Sequence, residues 1–244
     1  MQHQNSVFLI DYMGSDELIA LNAWASTFLE LGIELPQDVR SRTTALTDAI
    51  QEKAARKRSI PDLLNYLAKE GHISPFRGAK FIFGMKVDIA THIQLMTHTV
   101  AIEHTNTESA RYKELQDKYY LPADWLEYGE VGADLYRELE EMTWANNNFY
   151  HRAIHALVSA GMPKARAKET ARYAKMYNSQ VNSVRSLNFE GLVTLYRKRG
   201  FDSPSQREIA GVVEAMVQAV RDIPGQPFKH SLEAFGMGYA YPVT

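Results

Sequence analysis

The residues from Asn106 to Lys113 read Asn-Thr-Glu-Ser-Ala-Arg-Tyr-Lys, which sets an amide (Asn106), a hydroxyl (Ser109) and a guanidinium (Arg111) within one or two turns of backbone. Such a set suits an anionic ligand, because the planar guanidinium fork matches a phosphate edge. The chain contains no cysteine, so every mechanism that needs a protein thiolate is excluded. Two further arginines qualify for the same anion: Arg172, which shares a helical pattern with Lys168 and Lys175, and Arg199, which precedes a turn. Spacing alone does not bring the three together, and any single arginine is more often a solvated surface charge.

Other candidates are weaker. His92, His98 and His104 recur every six residues, which is not a neighbour spacing on a helix. His151 and His155 are four apart, but there is no HExxH pattern and no third ligand, so a solvent-facing pair and no metal are expected. The basic run from Lys53 to Arg58 reads as a solvated helix end. Gly32, Gly71, Gly78 and Gly84 form neither a GxGxxG nor a P-loop pattern.

These residues need a scaffold, and the 244-residue chain is long enough to bury a sizeable core. Its formal charge of −2 argues against a general nucleic-acid or membrane-surface binder. No apolar run is long enough to span a bilayer, and the first residues lack the pattern of a secretory leader. The expectation is a cytoplasmic protein with no nucleic-acid or membrane partner. No repeat, low-complexity tract or linker divides it, so one domain over residues 1–244 is expected, with an irregular tail from about residue 224.

Val7 to Ile10 reads as a buried strand, and Gly14-Ser15-Asp16 opens a helix that runs to Gly32. Residues 36–58 are mostly polar. Pro61 starts a helix that closes at Gly71. Ala79 to Asp88 alternates, with Phe81, Phe83, Met85 and Val87 on one side, as a half-buried strand does. Ile89, Ile93, Met96 and Val100 then predict a helix leading into the Asn106 run. From Trp125 to Met176 two or three helices are expected, with breaks near Asn146–Asn148 and Gly161–Pro163, and another helix over roughly 181–198. Ser203-Pro204-Ser205-Gln206 is a helix start, followed by the apolar stripe Ile209, Val212, Val213, Met216 and Val220.

In this order, His72-Ile73-Ser74-Pro75-Phe76, Phe81, Phe83, Lys86, Gln94, His98 and the Asn106–Tyr112 run resemble the flavin-dependent thymidylate synthases. The opening Asp11–Asp16 and the later Ala171-Arg172, Asn188, Leu195, Arg199 and Gln206–Ile209 resemble that family's two ends, so the likeness covers most of residues 7–210. It implies an α+β (α/β) fold, a small sheet packed with a helical layer, and a homotetramer. It also implies FAD as cofactor, dUMP or a related pyrimidine nucleotide as substrate, and NADPH and methylenetetrahydrofolate as co-substrates. The reaction implied is reductive C5 methylation of dUMP to dTMP without a protein nucleophile, which agrees with the missing cysteine. Gln94, Ser109, Arg111 and Arg172 resemble the nucleotide-binding residues, and Arg199 the catalytic arginine facing the uracil. Ser26, His98, Asn106, Glu108 and Asn188 resemble flavin contacts.

Several positions depart from the family pattern. Its Arg-His-Arg signature reads Thr97-His98-Thr99, Gly78 stands where a second histidine is usual, and Glu190 stands where an arginine follows Asn188. The segment from His98 to Asn106 is about two residues longer than the resemblance leads one to expect. The nucleotide side is therefore better kept than the flavin side. This leaves two alternatives: another one-carbon modification, such as hydroxymethylation, of dUMP, UMP or dCMP, or a non-catalytic nucleotide-binding homologue.

Overall fold

The computed structural model describes residues 4–25, 32–53, 58–98 and 101–238. Among these, β1 (Ser6–Met13), β2 (Lys80–Asp88), β3 (His104–Thr107) and β4 (Gln180–Asn188) form one sheet in the order β1-β2-β4-β3. Ile89 N–H donates to Ser179 O and Phe189 N–H to Ala79 O, so β2 and β4 run antiparallel. Glu103 N–H to Ser186 O and Glu108 N–H to Asn182 O set the same sense for β3 against β4. The helices are α1 (Asp16–Ala23), α2 (Val39–Lys53), α3 (Ile60–Lys69), α4 (Ile89–Met96), α5 (Gly129–Ser159), α6 (Lys164–Ala171), α7 (Phe189–Arg199), α8 (Arg207–Arg221) and α9 (Lys229–Ala234). The expected class, a small sheet with a helical layer, is the class observed.

Two strands turn directly into helices, and side-chain caps make the switch. Asp88 Oδ1 accepts from Thr91 N–H at 2.8 Å and starts α4, while Asn188 Oδ1 accepts from Gly191 N–H at 2.9 Å and starts α7. Gly191 is required there, because a Cβ would lie 2.2 Å from Ala101 O.

The chain divides into two compact units. The first takes residues 4–7, 84–98 and 105–184; the second takes 8–83, the described part of 99–104, and residues from 185. The chain passes between them within β1, β2, β3 and β4, so no linker marks the division. In the first unit Tyr150, Ile154 and Ala171 pack with Leu115 and Ala153, and Tyr119, Leu121 and Tyr136 form a second cluster. The second unit is centred on Phe76, Phe81, Phe189, Phe228 and Phe235, whose ring centroids lie 4.9 to 6.1 Å apart. Each such ring contributes about 1.5–3 kcal/mol by burial.

The structure corrects several expected elements. The helix over 181–198 is a strand to Asn188 and a helix only from Phe189. The buried side of that strand is Ser183, Arg185 and Leu187, and two polar residues there hide the period-two pattern. No break occurs at Asn146–Asn148: α5 is continuous, since Asn146 Nδ2 bonds back to Met142 O and Asn147 is buried. The helix that leads toward the Asn106 run ends at Met96, and a strand and turn carry Asn106 to Arg111. The polar stretch after residue 36 contains α2, and the tail beyond 224 contains α9. Helix α8 starts at Arg207, not at Ser203, whose hydroxyl donates to Gly200 O instead.

Candidate active site

In the first unit Ser109 closes a tight turn. Its Oγ accepts from Arg111 N–H at 3.3 Å, and its carbonyl accepts from Tyr112 and Lys113 N–H at 3.2 and 3.4 Å. Buried Ala110 anchors the turn, so the Arg111 side chain projects outward, 61% exposed, with Nε 3.6 Å from Glu169 Oε1. Arg166 Nη1 lies 3.5 Å from the other oxygen of Glu169. Arg172 is exposed and lies three residues beyond Glu169, just past the end of α6. Lys168 is buried, and its Nζ donates to Tyr112 O at 2.8 Å. Arg111 and Arg166 thus share the Glu169 carboxylate, with Lys168 and Arg172 close by in sequence, a locally positive corner on a chain of net charge −2.

Of the three arginines expected to meet, Arg111 pairs with Glu169, and Arg172 lies three residues beyond that glutamate in sequence. Arg199 is the last residue of α7 in the second unit, half-buried, and its carbonyl accepts from Ser205 Oγ at 3.0 Å. Gln94 is half-buried on α4, and His98 follows that helix with its N–H on Leu95 O.

The residues expected at a flavin are distributed as follows. Asn106 is exposed on β3. Glu108 accepts from Asn182 N–H at 2.8 Å, from Asn182 Nδ2 at 3.0 Å and from Lys113 Nζ at 2.7 Å. Burial works to raise the Glu108 pKa, but the bonds from Lys113 and Asn182 outweigh it and hold the carboxyl below its ordinary value. In the second unit Asn188 is both cap and donor: its Nδ2 reaches Glu103 Oε1 at 2.8 Å, and Lys80 Nζ lies 3.2 Å from the other oxygen of Glu103. Arg77 pairs with Glu190, Nη2 to Oε1 at 3.2 Å. Ser26 and Thr99 lie outside the described residues.

Some functional groups escape the sequence reading. Lys86, on β2, has its pKa pushed down to about 8 by burial and by the adjacent Lys118. The Lys86–Lys118 juxtaposition has no signal in a single sequence, because the two are 32 positions apart. His151 is not a solvent-facing partner of His155: its Nδ1 faces Glu114 at 3.2 Å and its Nε2 faces Asp117 at 2.9 Å. Among the described residues no group of three or more His, Asp or Glu could hold a metal ion. Among the same residues no helix is long and apolar enough to cross a membrane.

Residues 8–224 match the family model described as thymidylate synthase complementing protein. A flavin-dependent thymidylate synthase of Pseudothermotoga lettingae is 30% identical over 72% of this chain and 75% of its own length. The Tropheryma whipplei (strain TW08/27) protein of the same name is 26% identical over 84% of this chain and 82% of its own. Among solved structures, the UMP/dUMP methylase PolB from Streptomyces cacaoi, bound with 5-Br UMP, superposes with a TM-score of 0.71 at 22% identity, covering 98% of this chain and 99% of that one. At that identity the likeness speaks for the fold. The family match spans the turn at Ser109, the arginine corner and both capped strand–helix junctions, and the chain is accordingly an enzyme of the thymidylate synthase complementing protein family, the flavin-dependent thymidylate synthases.

Proposed function

We propose that this enzyme methylates C5 of dUMP to give dTMP, with methylenetetrahydrofolate as one-carbon donor and NADPH as reductant. The observation that supports the reading is the exposed Arg111 guanidinium beside Glu169, with exposed Arg172 three residues beyond that glutamate. A nucleoside monophosphate brings a dianion that can replace this weak surface pairing with bidentate, charge-assisted bonds. Ser109 adds a hydroxyl at the same turn, and Gln94 an amide for the sugar.

Arg199 is the residue assigned to the uracil. A base that attacks through C5 gathers negative charge on its carbonyl oxygens, and a fixed guanidinium lowers the energy of that state more than that of the resting base. No cysteine is present to add to the ring, so activation falls to such charge stabilisation.

The flavin is tested against the donor set. Its dinucleotide form carries a diphosphate, which requires cations. Thr97, whose hydroxyl bonds to Gln94 O, supplies none. Arg77 and Lys80, with side chains 59% and 49% exposed, bracket Asn188 through Glu190 and Glu103. This donor set fits FAD, with Arg77, Lys80 and Asn188 as residues that would hold it. Bound there, reduced flavin supplies the hydride that completes the methyl group. Acceptance of UMP beside dUMP is a second reading, supported by the likeness in fold to the UMP/dUMP methylase of Streptomyces cacaoi. The exposed stripe Val131, Leu135, Met142 and Phe149 along one side of α5 supports assembly with further copies as a homotetramer.

The test is direct. Purified protein is expected to be yellow and to convert dUMP to dTMP, read by mass spectrometry, only when NADPH and the folate are both supplied. A colourless protein that takes up no FAD and forms no product overturns the reading.

A further inference from the structure

We infer that His151 and Lys175 are positioning residues for the nucleotide: they hold residues 112–119 as a strap whose first turn aims Arg111. The inference rests on the reading of Arg111 as a phosphate ligand. The strap contains no helix, and its one ladder contact is the isolated bridge between Tyr119 and Ser179. A stretch of this kind keeps one conformation only if other groups meet its backbone and side chains.

Lys175 does so from inside. Its side chain is 2% exposed, and its three ammonium donors meet three acceptors: Asn147 Oδ1 at 2.7 Å, Asp117 Oδ1 at 3.0 Å and Gln116 O at 3.2 Å. The ammonium also lies 4.5 Å from the Tyr150 ring centroid, and the Tyr150 hydroxyl accepts from Leu115 N–H at 2.9 Å. His151 closes the outer side, with one ring nitrogen on Glu114 and the other on Asp117. A ring protonated at both nitrogens satisfies the two carboxylates together, whereas a ring with one proton satisfies a single one.

These bonds bear on the ligand because strap and anion turn share residues. Tyr112 and Lys113 donate their N–H groups to Ser109 O, the residue whose Oγ accepts from Arg111 N–H. Freeing residues 114–117 loosens the turn from its far end, while the side chains of Arg111 and Arg172 stay intact. His151 and Lys175 need not touch the nucleotide to matter.

The test uses His151→Gln and Lys175→Met in the full chain, with two readouts. Amide exchange by mass spectrometry is expected to quicken about tenfold over residues 109–119, the effect of losing one charge-assisted bond, and to stay unchanged in α8. The KM for dUMP is expected to rise about tenfold with kcat within about twofold, the signature of lost ground-state binding. Unchanged exchange overturns the strap; quickened exchange with an unchanged KM overturns its positioning role. Should Lys175→Met fail to fold, His151→Gln carries the test alone, since that ring is about one-third exposed. A parent protein that never saturates with dUMP brings down the nucleotide reading, and the exchange data still judge the strap.

Discussion

Alanine at Arg111 or Arg172 should separate folding from binding. The Arg111 side chain is 61% exposed, and its pair with Glu169 spans 3.6 Å; exposed pairs of this kind contribute about 0–1 kcal/mol. Arg172 is likewise exposed. Neither truncation should therefore move the urea midpoint much. A guanidinium bonded to a phosphate is worth more, about 1.5–3 kcal/mol, which corresponds to about 10- to 150-fold in Kd. Calorimetric titration with dUMP should show that loss for each variant, with Arg111→Lys between the parent and the alanine because it keeps the charge and loses the fork. The double variant should lose less than the product of the two factors, since both groups share one dianion. If both single variants keep the parent midpoint and bind dUMP within about twofold of the parent, the corner is not where the nucleotide sits.

Arg199→Ala should lower kcat by about a hundredfold or more while leaving the dUMP KM within about threefold, as expected for a group that acts on developing charge; an unchanged single-turnover rate counts against it. Asp16 meets the first turn of α9, accepting from His230 N–H at 2.8 Å and Ser231 N–H at 3.0 Å, so Asp16→Ala should cost about 2–4 kcal/mol in urea unfolding by leaving buried donors unmet. Burial lifts the Asp16 pKa above 3.8 despite those bonds, so the folded state binds the extra proton as pH falls through that raised value towards 3.8. The parent should gain on Asp16→Asn in that window, and a gap that narrows there contradicts the assignment. Lys118→Gln should return the Lys86 pKa from about 8 towards 10.5, followed by NMR of labelled lysines. A folded pKa below the unfolded one means that stability rises with pH between those two values, and this rise should shrink in Lys118→Gln.

The fold was legible where hydrophobic period and local chemistry agree. β2 alternates cleanly because its buried side is Phe81, Phe83, Met85 and Val87. β4 makes the same strand-to-helix turn, but it buries Ser183 and Arg185 beside Leu187, and a hydropathy pattern cannot register a buried guanidinium as core. Asn146–Asn148 looked like a break because asparagine favours turns; the helix persists because Asn147 Oδ1 serves the ammonium of Lys175, 28 positions away. In the site, Ser109 and Arg111 could be read from their adjacency, whereas Glu169 as the partner of Arg111 could not. Tertiary partners of this kind decided most of the differences.

Two of the departures that the resemblance implies, at Glu190 and Gly78, meet partners in space. Glu190 stands where an arginine is usual, which by itself reverses a charge beside Asn188. The fold sets Arg77 against it, so the guanidinium is carried by the segment that packs on α7 instead of by α7 itself. Gly78 stands where a histidine is usual, and the space its Cβ would take is filled by Asn22 Nδ2, 2.1 Å away, which donates to Pro75 O. Arg77 thus balances the carboxylate of Glu190 near Asn188, with its own side chain largely exposed. Arg77→Gln should then weaken FAD retention more than it weakens folding, because the ion pair is largely exposed and contributes little to stability. Equal loss of both, or loss of neither, would leave Arg77 a surface charge and the missing arginines uncompensated.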